Sequence, residues 1–227
     1  MSITLFGTCR INNVMGNNNI NNLTTYTHSA KEVLQLIYFL MGQVKLETPL
    51  DKLCFRRGII ENTPILYSEE LRNTFIESTT VIIEICSNKT WVYNNNYLHH
   101  LCVDKRWPPH YQKNTPQQVL DNYKCIKQTP EEIESDLLKI KELIEPRKMI
   151  LVTHYNSLMN GLHIESRNNL ILLLNKIAKT HNINIVNPSE VLKTYTQEEV
   201  MKEDLGHYTD FGISKITEYL NNYIRGD

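Results

Sequence analysis

The 227-residue sequence has no C-x-x-C pair, no block of lysine and arginine, no apolar run of membrane-spanning length, and only two alanines, Ala30 and Ala178. Each lack narrows the reading. Five cysteines, at positions 9, 54, 86, 102 and 125, are an odd set without paired spacing, which signals neither a disulfide framework nor a tetrahedral zinc site. They read as reduced thiols, most of them buried. A net charge of −1 without a basic cluster argues against nucleic acid or an anionic membrane as the main partner. Met1 leads straight into Ile3-Thr4-Leu5-Phe6 without a basic n-region or an apolar export segment, so the expected location is the cytoplasm. A hydrophobic fraction of 41% over this length is enough to bury the core of one globular domain spanning 1–227.

What is present alternates between strand-like and helix-like segments. Ile3 to Phe6 is a short apolar run stopped by Gly7, the expected first strand. An Asn-rich loop follows from Asn12 to Asn22. Ser29-Ala30-Lys31-Glu32 then has the spacing of a capping box, continued by an amphipathic pattern through Met41. Between 48 and 68, Leu53 to Phe55 and Ile59-Ile60 suggest a short second strand beside Arg56 and Arg57. Thr79 to Ile85 reads as a central parallel strand covered on both faces. Broken patterning from Trp91 to Asn114 suggests an inserted hairpin or lid. Thr115-Pro116-Gln117-Gln118 and Thr129-Pro130-Glu131-Glu132 are written as helix starts with a capping Thr and Pro at the first helical position. Met149 to Thr153 and Ile183 to Val186 complete the strands, with helices across 170–179 and at the C-terminus. Strands separated by helices predict an α/β fold, a three-layer α/β/α sandwich on a doubly wound, flavodoxin-like sheet of about five parallel strands.

In such a sheet ligands gather at the carboxyl ends of the strands. Gly7-Thr8-Cys9-Arg10 follows the first strand, Ser87-Asn88-Lys89 the third, His154-Tyr155-Asn156 the fourth, and Asp204-Leu205-Gly206-His207 comes after the fifth. Cys9 sits in a turn whose backbone N–H groups are expected to lower its pKa toward the reactive thiolate. Cys54, Cys86, Cys102 and Cys125 keep the ordinary reading of packed thiols. The three-residue spacing of Asp204 and His207 lets the carboxylate hold one imidazole nitrogen while the other faces a nucleophile, although a capping Asp beside a surface His has the same spacing. His28 precedes a helix and either faces the site or helps to cap it. Arg56 and Arg57 either hold phosphates or lie on the surface. His99, His100 and His110 lack a metal-ligand spacing and are expected in the exposed insertion, so no metal is predicted.

The string Asp204-Leu205-Gly206-His207-Tyr208-Thr209-Asp210-Phe211-Gly212 fits D-x-x-H-x-x-x-x-G and resembles the last block of the SGNH/GDSL hydrolase superfamily. Gly7-Thr8-Cys9 stands where that superfamily has its first block, with Cys in place of Ser. In this the chain resembles the GSCFA-type proteins and the cysteine-bearing acetyltransferases of capsular polysaccharide synthesis. Asn88 matches the Asn of the G-x-N-D block, an oxyanion-hole donor; Cys86 replaces its Gly and Lys89 its Asp, and Gly58 is the one candidate for the second-block Gly. The resemblance implies a nucleophile Cys9, a base His207 oriented by Asp204, and Asn88 as an oxyanion donor; by their positions along the chain, Thr8, Arg10, Ser87, His154, Asn156, His28 and Arg56 are the further candidates around the substrate.

A cysteine nucleophile makes the acyl-enzyme a thioester. Forming it from an oxygen ester runs uphill, whereas acyl exchange with coenzyme A costs little. The expectation is therefore an acetyl-CoA-dependent acyltransferase acting on a sugar or nucleotide sugar, the acceptor class coming from the resemblance alone. A carbohydrate esterase with the same triad, and a catalytically silent glycan-binding domain, are the competing expectations.

Overall fold

A computed structural model describes residues 2–16, 20–21 and 26–226. In chain order it begins with β1 (Ile3–Phe6), α1 (Cys9–Met15), β2 (Ile20–Asn21), α2 (Ala30–Leu40), α3 (Leu50–Leu53), α4 (Arg56–Glu61), α5 (Glu69–Ile76) and β3 (Thr80–Glu84). There follow β4 (Lys89–Tyr93), β5 (Asn96–Leu98), α6 (Gln117–Asn122), β6 (Lys124–Lys127), α7 (Pro130–Ile144) and β7 (Lys148–Val152). The chain closes with β8 (Leu158–Met159), β9 (Leu162–His163), α8 (Glu165–Thr180), β10 (Asn184–Val186), α9 (Pro188–Val191), α10 (Gln197–Val200) and α11 (Asp210–Arg225). No helix among the described residues is long and apolar enough to cross a membrane.

The fold is α/β, built on a parallel sheet. Across it the strands run β10-β7-β3-β1, with the two-residue β2 outside β1, and all these pairs are parallel. Period-2 alternation assigns side chains to the faces. Phe6, Val81, Ile83, Met149 and Leu151 pack against α2, α7 and α8. Leu5, Ile82, Ile150 and Val152 face α1 and α11. Ile82 and Glu84 lie two apart on β3, so the fully buried Glu84 points to the α1 side at the strand's carboxyl end. Chain order reverses between β1 and β3, and a crevice at such a reversal is where ligands bind in open α/β sheets. Cys9 follows β1 directly.

Several local expectations are corrected. Asn12 and Asn13 belong to α1, because Ile11, Val14 and Met15 give that segment an apolar face to bury; Asn17 to Asn19 and Asn22 lie outside the described residues. The strand expected between 48 and 68 is replaced by α3 and α4, whose Leu53 and Ile59 pack with Trp91 and Leu98. Gly58 has a packing reason: a Cβ there would sit 2.5 Å from the Lys52 carbonyl where the two short helices meet. Thr115 caps nothing, since its hydroxyl donates to the Cys102 carbonyl at 2.9 Å and α6 starts after it without a side-chain cap. Thr129 does form the full capping box with Glu132. In the region expected as an insertion, β4 pairs antiparallel with both β5 and β6, a small sheet that extends to Lys127.

Candidate active site

The structure brings Cys9, His207 and Asp204 together. Cys9 Sγ lies 3.1 Å from His207 Nε2, and His207 Nδ1 lies 2.6 Å from Asp204 Oδ2. Backbone geometry makes this possible from both sides. Cys9 is the first residue of α1, with Thr8 as its N-cap in extended conformation. His207 sits in a loop closed at its base by a Met201–Tyr208 bridge and by the Lys202 N–H donating to the His207 carbonyl at 2.8 Å. Within that loop Leu205 takes a left-handed φ of 53°, and Asp204 Oδ1 accepts the N–H groups of Gly206 at 2.8 Å and His207 at 2.9 Å. Gly212, the last residue of the D-x-x-H pattern, is required by contact: a Cβ would approach the Val200 carbonyl to 2.4 Å. α11 thus seats closely on the end of α10, which fixes where the loop begins and ends.

Beneath the triad lies a buried ion pair that sequence reading did not find. Glu84 Oε2 accepts from the Thr8 N–H at 2.7 Å and the Thr8 hydroxyl at 2.5 Å, while Oε1 accepts from Arg10 Nε at 3.0 Å. Arg10 Nη1 then donates to the Gly206 carbonyl at 3.1 Å. Arg167, on α8, donates to the neighbouring Leu205 carbonyl at 2.9 Å and to Ser157 Oγ at 2.6 Å. Two guanidinium groups therefore hold consecutive carbonyls of the loop that bears His207, and one of them is anchored to β3, beside the strand that Cys9 follows. Gly7 leaves room for this, because a Cβ there would come within 2.8 Å of Glu84 Cβ.

The electrostatics follow from burial. The Asp204 carboxyl loses some hydration, but the His207 ring and two backbone N–H groups outweigh that and hold it down to about 2. Arg10 offsets its burial through Glu84, which keeps it charged. Burial raises the Cys9 thiol, with Glu84 adding to the rise and Arg10 and Arg56 opposing it. The backbone N–H of the turn does lower the thiol, as expected, but burial outweighs it, so the thiol beside the imidazole stands above its ordinary value. Burial pushes Cys54 and Cys86 up to about 12 and Cys102 higher, as expected of packed thiols, whereas Cys125 is exposed on β6.

The other expected site residues have these partners. Thr8 and Arg10 are committed to Glu84 and the 204–207 loop rather than turned to a ligand. Ser87 folds back on Lys89, its Oγ accepting that N–H at 2.9 Å, and the partly buried Asn88 accepts the Gln128 N–H through its carbonyl at 2.7 Å. Asn156 donates to Ser189 and Asn168, toward α9 and α8. His154 is buried, its Nδ1 donating to the Tyr155 carbonyl at 2.9 Å; burial, with the charges of Arg10 and Arg167, holds it well below the usual imidazole range. Arg57 pairs with Glu61 on the surface, and Arg56 stacks on the Tyr26 ring at 4.5 Å. A cleft of about 380 Å³ opens away from the triad, at the amino end of β7 between Lys141, Arg147 and Asn184.

His99 and His100 correct the sequence reading outright. Both are buried, against the expectation of an exposed insertion, and only His110 of that trio is exposed. They stack on each other and meet the edge of the His28 ring, with centroids 5.2 and 4.3 Å from it. His28 in turn accepts the Cys86 and Ser87 N–H groups on its carbonyl, which joins the cluster to the end of β3. The signal was absent from the sequence because His28 and His99 stand in distant segments that only the fold brings together.

A family model described as the TviD N-terminal domain matches residues 1–110 and 102–220 of the chain. The chain is 29% identical over 96 residues to the Vi polysaccharide biosynthesis protein TviD of Salmonella typhi, a match that covers 40% of this chain and 12% of that protein. Among solved structures, LAE5, an α/β hydrolase from the metagenome of Lake Arreo, superposes with a TM-score of 0.42 at 13% identity, covering 99% of this chain and 94% of LAE5. A mutant of Axe2, an acetyl-xylooligosaccharide esterase from Geobacillus, gives a TM-score of 0.42 at 13% identity over 98% of this chain and 93% of its own. The family match spans nearly the whole length, and the chain belongs to the family of TviD N-terminal domains.

Proposed function

We propose that the protein is an acyltransferase that carries an acetyl group on Cys9, with acetyl-CoA as donor and a sugar or nucleotide-sugar hydroxyl or amine as acceptor. The observation that carries this reading is the continuous relay from Cys9 Sγ through His207 to Asp204. Ionised Asp204 only accepts hydrogen bonds, so it holds the proton on His207 Nδ1 and leaves the Nε2 lone pair facing the thiol. In the first half-reaction Nε2 takes the Sγ proton as sulfur attacks the acetyl carbonyl. The tetrahedral intermediate collapses, the CoA sulfur leaves, and it takes the proton back from His207. In the second half-reaction His207 takes the acceptor's proton, the acceptor attacks the Cys9 thioester, and the Cys9 sulfur leaves to be reprotonated. The Cys9 N–H at the start of α1 and Asn88 are the proposed oxyanion donors. Arg56, whose charge acts on the Cys9 thiol, is the proposed contact for donor phosphates.

A thiol raised by burial suits this scheme, because the base then generates the nucleophile when a carbonyl is in place. The name of the Salmonella typhi relative supports a saccharide acceptor. Within the family resemblance, the reading remains that of a cysteine variant of the SGNH-like hydrolases, acting in the cytoplasm. His207 and Asp204 are about half exposed, which admits water and keeps an esterase as the second reading. Intact-mass spectrometry after mixing with acetyl-CoA tests the proposal: one acetyl group mapping to Cys9 is expected, and its absence in wild type overturns it. Rapid hydrolysis of p-nitrophenyl acetate that CoA does not inhibit would instead establish the esterase.

A further inference from the structure

We infer that His28, His99 and His100 form a binding site for a divalent transition-metal ion, zinc in the first instance. Each offers one ring nitrogen, and these nitrogens all lie within 4.8 Å of one another. Three nitrogens on a tetrahedral zinc stand roughly 3.3 Å apart, so closing on the ion asks each ring to move on the order of 0.7 Å. His99 and His100 are buried, His28 is half-buried, and the three rings are already in contact.

The remaining polar atoms point the same way. His99 Nδ1 accepts the Leu101 N–H at 3.4 Å, which leaves Nε2, and that atom is buried without a hydrogen-bond partner among the described residues. A buried polar atom of this kind costs free energy unless something binds it. His28 Nδ1 lies 3.4 Å from Glu32 Oε2, which also accepts the His28 N–H at 2.8 Å. This carboxylate behind the imidazole orients the ring and leaves Nε2 as the nitrogen offered, the arrangement by which outer-shell acids tune metal-bound histidines. Glu32 reaches this position because the N-cap of α2 is Ser29 and its own side chain passes the cap to the residue before it.

Three imidazoles select a borderline cation over calcium or magnesium, which take oxygen ligands, and leave a fourth position for water or a substrate atom. Bound there, the ion would clip the start of α2 to the segment after β5. Cys86 and Ser87 hang from the His28 carbonyl, so the clip also steadies the end of β3 next to Cys9. Arg56 opposes the cation electrostatically, since its charge acts on both His99 and His100. None of the three histidines is part of the proposed acyl relay, and the inference stands whether or not Cys9 is acylated.

The experiment is calorimetric titration of metal-free protein with Zn2+, backed by Co2+ absorption spectra and thermal melts. One ion per chain is expected, with a four-coordinate cobalt spectrum and a Tm that climbs with metal concentration. His28→Gln and His100→Gln should each weaken binding at least about tenfold, and Glu32→Gln about 10- to 100-fold. Cys9→Ala should leave the affinity unchanged, which separates this site from the acyl relay. Arg56→Ala should tighten it. The inference is overturned if wild type binds no Zn2+, if the His28→Gln and His100→Gln variants bind as wild type does, or if Cys9→Ala abolishes binding.

Discussion

Two acid–base pairs meet at the candidate active site, and their surroundings are opposite. Glu84 and Arg10 are 3.0 Å apart with side chains only 2% and 10% exposed. Asp204 and His207 are 2.6 Å apart with side chains 52% and 44% exposed. A pair whose proton stays fixed can be buried, where a low dielectric makes its geometry costly to change. A pair that must take up and release a proton each cycle is better placed where acceptor and solvent reach it. On the proposed function the inner pair is scaffold and the outer pair is chemistry; both converge on one short loop because Arg10 grips the Gly206 carbonyl while Asp204 grips the Gly206 and His207 N–H groups.

Breaking the inner pair should have the largest effect on the molecule. Glu84→Ala strands a buried guanidinium and leaves the Thr8 N–H and hydroxyl without their acceptor, a loss of about 3–5 kcal/mol in stability. Thermal melting should fall by roughly 6–20 °C for a chain of this size. Adding Arg10→Met to Glu84→Ala should restore part of the loss, because no unpaired charge remains. A Glu84→Ala melt within a degree of wild type would make the inner pair no more than a surface contact and dissolve the contrast.

Asp204→Asn probes the outer pair and should do the reverse. The side chain is half exposed and Asn retains an oxygen for the two loop N–H groups, so the melt should stay within about 0.5 kcal/mol of wild type. The proposed acetyl transfer should fall by about 10²-fold or more, since an amide no longer dictates which His207 nitrogen carries the proton. Equal losses of stability and activity would mean that the two pairs are not specialised. Between these lies Gly212→Ala, which forces a methyl against the Val200 carbonyl and should cost about 1–3 kcal/mol by overpacking. Its activity loss should follow from displacement of the 202–207 loop, visible as a larger drop in kcat than in melting temperature.

The outer pair was legible in the sequence and the inner one was not, for a physical reason. Cys9, Asp204 and His207 stand at strand and helix boundaries marked by Gly7 and by the opening of α11, where one-dimensional signals are strongest. Glu84 ends a β-branched run, Thr80-Val81-Ile82-Ile83-Glu84, that reads as continuous packing. Its partner is 74 positions away, and only the placement of β1 beside β3 joins them. The histidine cluster is hidden in the same way, since His28 meets His99 and His100 only where the start of α2 lies against the segment after β5. The two short helices at 50–61 resemble a strand in the sequence because a few apolar residues cannot distinguish a buried short helix from a buried strand. Residues whose partners lie nearby announce themselves, while those whose partners arrive through the sheet do not.

The finest distinction concerns the thiol that faces the outer pair. Burial raises Cys9 above the ordinary 9.0, so the neutral form dominates at pH 7 and the thiolate fraction is below that of a free cysteine. The sign follows directly: a raised pKa delays deprotonation, so the rate of iodoacetamide alkylation should keep climbing, about tenfold per pH unit, through pH 9 before it levels. Asp204 stays ionised down to about 2, so no break near pH 4 should be assigned to it. Peptide mapping must follow Cys9 alone, because exposed Cys125 reacts as a built-in reference for an unburied thiol. Cys9 should be the slower of the two at pH 7 in the protein without substrate. A Cys9 rate already level near neutrality would reveal a thiolate–imidazolium pair, and the outer pair would then carry a standing charge separation like the inner one.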